Sequence, residues 1–113
     1  MQIDVTGTLK YLRTTGHSVK INHYRMFTVC GKLQKDCLQK FFLQEHPFAE
    51  INPHGGYTTV EVYNADGMLL CKAKYNFGKT QHFNHKIGVS AALGRACKLL
   101  KWSGLRKWHY STL

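Results

Sequence analysis

The dipeptide Asp66-Gly67 constrains this 113-residue chain more than any other feature, because the segments on either side of it alternate apolar and polar side chains. Asp-Gly is a strong signal for a tight hairpin turn, since both residues tolerate the positive φ that such turns require. With those two as the turn between strands at 58–63 and 68–77, Val62 faces Cys71, Val60 faces Ala73 and Thr58 faces Tyr75 on one side. The other side pairs Glu61 with Lys72 and Thr59 with Lys74. Apolar residues oppose apolar ones and the acid opposes a base, a pattern that a one-residue slip would destroy.

The following segment, 83–102, reads as a helix. Val89, Ala92, Leu93, Ala96, Leu99 and Leu100 form a broad apolar face at helical spacing, and Ser103-Gly104 ends it. Another face carries Asn84, Gly88, Ala91, Arg95, Lys98 and Trp102, with Gly88 and Ala91 leaving room for a ligand beside the cations. In the first half, alternation predicts strands at 2–13 (Ile3, Val5, Leu9, Tyr11) and 18–29 (Val19, Ile21, Phe27, Val29), joined by a turn at 14–17. Leu33, Cys37, Leu38, Phe41 and Phe42 predict a helix at 32–45, stopped by Pro47, with a loop at 46–56. The expected fold is one α+β domain over 1–113, in the order ββαββα. Its antiparallel sheet has about four strands, with two helices on one side.

Charge narrows the partners. Sixteen Lys and Arg against six Asp and Glu give a net +10. Residues 1–66 hold seven basic and six acidic side chains, whereas 67–113 hold nine basic and no acidic ones. A surface of one sign attracts partners of the other, so the second half is suited to nucleic acid or another phosphate-bearing partner. The candidate contacts are Lys72, Lys74, Lys79, Lys86, Arg95, Lys98, Lys101, Trp102, Arg106, Lys107, Trp108 and Tyr110. Toward the carboxyl terminus these interleave cations with aromatics, which pairs phosphate neutralisation with stacking on bases.

Other motifs point to less. Residues 73–80 fit a relaxed phosphate-loop pattern with Ala73 in the place of its first glycine, but no acid follows to hold Mg²⁺. A passive anion site at Lys79 and the helix start is the better reading. His82 and His85 have no second ligand pair at zinc spacing, so neither a metal nor a cofactor is expected. Nothing fixes a nucleophile, a base and an oxyanion hole together, so no enzyme is expected. Cys30, Cys37, Cys71 and Cys97 are expected as reduced thiols packed like small hydrophobes. No apolar run approaches the roughly eighteen residues of a membrane span, and the amino terminus lacks the layout of a secretory signal. These features suggest a cytoplasmic protein with no membrane partner.

The stretch TTVEVYNADGMLLCKAKYNFGKTQHFNHKIGVSAALGRA resembles a hairpin–helix module of small bacteriophage proteins, over about residues 57–97. There a D-G hairpin leads through a loop to a helix opening F-x-x-x-x-G and continuing x-x-x-A-x-x-R. Asp66, Gly67, Phe83, Gly88, Ala92 and Arg95 match, while residues 76–81 stand where relatives carry a C-x-P-x-D loop. The module is similar to that of phage Thoeris anti-defence proteins, which sequester cyclic ADP-ribose-type signals. The resemblance implies a phage protein acting in the host cytoplasm, with Arg95 as a phosphate ligand. Together these readings predict a non-catalytic counter-defence protein that binds nucleic acid or a nucleoprotein complex of the host, such as a guided nuclease. A sponge for a cyclic nucleotide signal and a protein inhibitor docking on an acidic host surface are the two other classes left open.

Overall fold

The computed structural model describes residues 4–102, and side chains as far as residue 100. The elements in order are α1 (Val5–Thr14), β1 (Ser18–Val29), β2 (Lys32–Leu38), α2 (Gln39–Glu45), β3 (Glu50–Ile51), β4 (Tyr57–Tyr63), β5 (Leu69–Asn76) and α3 (His85–Trp102). The five strands form an antiparallel sheet in the order β2-β1-β4-β5, with β3 paired to the far end of β1. The α+β class and the antiparallel sheet are as expected. The strand count, helix count and order differ.

The hairpin of β4 and β5 has the register read from the sequence, including Val62 with Cys71, Glu61 with Lys72 and Thr59 with Lys74. Its turn is one residue longer than expected. Gly67 takes φ +80° while Asp66 does not enter positive φ, and the Asn64 side chain accepts hydrogen bonds from the Asp66 and Met68 backbone N–H groups. The register therefore shifts at Tyr63, which pairs with Leu69 above a three-residue loop and leaves Leu70 as the extra residue of β5.

Two sequence expectations are overturned. The strand expected at 2–13 is replaced over its described residues by a helix, Val5–Thr14. The Asp4 side chain caps that helix by accepting from the Gly7 N–H at 3.1 Å. Thr8 and Leu12 are buried, with Val5 and Leu9 packed beside them, a helical spacing that defeats the weaker alternation. Nor is 32–45 one helix, since Lys32–Leu38 pairs with β1. Cys30 and Gly31, at φ +49° and +77°, make the tight turn that sends β2 back along β1. Asp36 at φ +56° lies in the bulged part of β2, and only Gln39–Glu45 is helical. The apparent repeat of strand-strand-helix disappears with these two corrections. Cys97 is buried as expected, but Cys30 is exposed on its turn.

The helices pack on one face of the sheet. Leu12 of α1 meets Val60, Val62 and Ala73 of the sheet and Leu93, Ala96, Cys97 and Leu100 of α3. Phe42 of α2 stacks on buried Phe27 of β1, with ring centroids 4.6 Å apart. Leu12, Leu93 and Leu100 are fully buried, each contributing about 2 kcal/mol of transfer free energy. The opposite face is left without a covering element among the described residues.

Candidate nucleic-acid interface

Because side chains alternate along a strand, burying Val19, Ile21, Val60, Val62 and Ala73 on one face sends their neighbours to the other. The uncovered face therefore carries Lys20, Asn22 and Tyr24 from β1, Tyr57, Glu61 and Tyr63 from β4, and Lys72 and Lys74 from β5, with Thr59 buried beneath these neighbours. Tyr24 and Tyr57 are directly opposed across the strands, with rings 4.6 Å apart and 19° from parallel. The Lys74 ammonium lies 4.1 Å from the centre of the Tyr57 ring. Both tyrosines remain partly exposed. Burial, Asp36 and Tyr24 hold the Tyr57 hydroxyl above the usual tyrosine range, so it stays protonated as a donor at neutral pH.

Glu61 is the carboxylate that β4 brings to this face, and Asp36 of β2 acts on Tyr57 from beside it. Glu61 accepts from Tyr63 Oη at 2.7 Å and lies 3.5 Å from Lys72 Nζ. The Tyr63 bond, with Lys72 and Lys20 nearby, holds its pKa below the usual carboxylate range against the cost of burial. Neutralised in this way, it leaves Lys20 and Lys74 without an acidic partner within ion-pair distance among the described residues. The face combines an ordered aromatic pair with a surplus of ammonium groups.

The cations expected from the sequence are only partly brought together. Lys72 and Lys74 share the uncovered face. Lys79 is exposed in the loop after β5, Lys86 is exposed in the first turn of α3, and Lys98 is exposed further along it. Arg95 reaches the edge strand instead: its Nη1 donates to the Lys74 carbonyl at 2.6 Å, and its guanidinium lies 5.2 Å from the Tyr75 ring centre. That bond satisfies a backbone acceptor on the edge of the sheet and engages one arm of the group read as a phosphate ligand. Gly88 offers no room for a ligand beside it, because it is packed against Thr58 and Phe77. Lys101 and Trp102 end α3, beyond the last described side chain; Arg106, Lys107, Trp108 and Tyr110 lie outside the described residues. Sequence reasoning missed Lys20, Tyr24 and Tyr57. Their parity, opposite to Val19 and Ile21, was the available signal.

His82 and His85 separate, His82 pairing its ring with His54 at 4.3 Å and His85 with His23 at the same distance. His23 Nδ1 lies 2.8 Å from Thr58 Oγ1 under the start of α3. Burial, His85 and Arg25 pull the His23 pKa from 6.5 down to about 4. Between those values the unfolded chain binds a proton that the folded chain refuses, so stability falls as pH drops from 6.5 toward 4. With partial solvent access, the expected loss is on the order of 2 kcal/mol. Urea unfolding at pH 7.5 and 4.5 checks this, since His23→Asn should remove that share of the acid sensitivity. Equal pH dependence in variant and parent would refute it.

Among the described residues no helix is long and apolar enough to cross a membrane. Comparison with protein-family models, with curated proteins and with solved structures found no match to this chain.

Proposed function

We propose that this protein binds single-stranded nucleic acid on its uncovered sheet face and performs no chemistry on it. The observation that carries the reading is the Tyr24–Tyr57 stack flanked by Lys74, with Lys20 and Lys72 on the same face. Aromatic surfaces take up unpaired bases while ammonium groups meet the phosphates between them, a combination that favours single strands over duplex. A cross-strand tyrosine pair also stabilises a sheet. Lys20 and Lys74, which have no acidic partner among the described residues, favour the binding role over a purely structural one.

The resemblance of residues 57–97 to phage anti-defence modules supports a setting in which the bound strand belongs to a host nucleoprotein, such as a guided nuclease. The test is equilibrium titration of labelled single and double strands over a range of salt. Three phosphate contacts, at Lys20, Lys72 and Lys74, give a slope of log affinity against log salt of about −2 for a single strand, steeper where further cations join. Tighter binding to single strands with at least this slope is the expected result. No binding at low salt would remove the reading in favour of a protein partner.

A further inference from the structure

A second feature lies on the helix-covered side of the sheet, away from the tyrosines. A cavity of about 310 Å³ opens between β1, α2 and the start of α3, lined by Ile21, Asn22, His23, Leu38, Gln39, Lys40, Leu43 and His85. Ile21, Leu38 and Leu43 give it an aliphatic side, and the groups able to carry charge on its lining are one ammonium and two imidazoles. Behind the wall lies Arg25, 7% exposed. Its Nη1 is 3.5 Å from Gln39 Oε1, its Nη2 donates to the Asn52 carbonyl at 3.1 Å, and its guanidinium sits 4.0 Å from the Phe83 ring centre. The Arg25 Nε has no hydrogen-bond partner, and among the described residues no carboxylate is within ion-pair distance of the guanidinium.

A buried guanidinium without a counter-charge is costly, and Lys40 adds a second cation to a lining that holds no acid. The depressed pKa of His23 and the lowered pKa of His85 share that cause in part, because Arg25 repels a proton from both. An anion in the cavity offsets the penalty. The volume exceeds what a bare phosphate needs and falls in the range of small-ligand sites. We infer that this cavity binds a phosphomonoester carried on an apolar or aromatic body, with Lys40, His85 and His23 toward the phosphate and Ile21, Leu38 and Leu43 against the body.

The phosphomonoester could belong to a free small molecule or to the phosphorylated end of a strand. The inference does not depend on the sheet face. Calorimetric titration of the full chain at low salt uses adenosine 5′-monophosphate, adenosine, and a tetranucleotide with and without its 5′-phosphate as probes. Binding that is at least tenfold tighter with the phosphate than without it, for the nucleotide or for the tetranucleotide, is expected. Whichever phosphorylated probe binds more tightly identifies the source. Lys40→Ser and His85→Gln, both at exposed positions, should each weaken that binding about tenfold. Absence of binding by either phosphorylated probe, indifference to the phosphate, or parent-like affinity in both single variants would overturn the inference.

Discussion

Replacing Tyr24 and Tyr57 together with alanine is expected to lower single-strand affinity on the order of 50-fold while changing the salt slope little. Base–aromatic stacking is worth about 1–3 kcal/mol per base, and Tyr57, held between Tyr24 and the Lys74 ammonium, braces the Tyr24 ring that receives one. Because the rings touch, the single substitutions should not add to the double one, since losing either also loosens the other. Lys20→Gln, Lys72→Gln and Lys74→Gln combined should behave in the opposite way, flattening the salt slope by about 2. Fluorescence anisotropy on a short labelled strand separates the two effects. A double tyrosine variant that folds and binds like the parent would remove the stacking role.

The largest expected stability effect is at Gly56, the residue before β4. It holds φ +86°, and a Cβ there would collide with the Tyr24 carbonyl oxygen and press on the Phe83 ring at 3.3 Å and on Arg25 Cα at 3.4 Å. Backbone atoms cannot swing aside as a flexible side chain can. Gly56→Ala therefore combines an unfavourable backbone conformation with a backbone collision, and roughly 3 kcal/mol is expected. Gly67 provides the control, because it holds φ +80° and a methyl group there would meet nothing within 4 Å. Gly67→Ala should cost only about 1 kcal/mol. Urea unfolding of both variants measures the difference. Equal losses would mean that the strands near Tyr24 and Tyr57 yield more readily than their packing implies.

How far the fold could be read from the sequence depended on whether one periodicity stood alone. In the β4–β5 hairpin, alternation, charge pairing and turn chemistry agreed, and the pairs from Thr58–Tyr75 to Val62–Cys71 are those expected. In α1 two periodicities competed: Val5, Leu9 and Tyr11 suit a strand, while Val5, Thr8 and Leu12 suit a helix. The Asp4 cap, with its bond to Gly7, was the missed deciding signal. In β2 the apolar residues were spaced for a helix, but Leu33 is half exposed and packs in no helical core. There the Cys30–Gly31 turn decides the structure, and a left-handed cysteine carries little propensity signal.

The candidate interface was legible as charge but not as geometry. Counting cations located Lys72 and Lys74 because they alternate within an unambiguous hairpin. It could not show that Arg95 donates to the edge strand, a contact between residues 21 positions apart. It could not locate Tyr24 or the Arg25–His23–His85 group either, since both depend on how β1 pairs with elements more than thirty residues away. The neutral first half thus supplies residues to both candidate sites, whereas the charge count had directed attention to the second half alone.

Backbone chemical-shift mapping during titration with a short single strand tests the central claim most directly. The account predicts the largest changes at Lys20, Asn22, Tyr24, Tyr57, Lys72 and Lys74, whose side chains share the uncovered face, and smaller ones at the core-facing Val19, Ile21, Val60 and Val62. Changes confined to α3 and the loop before it, with the sheet face silent, would contradict it.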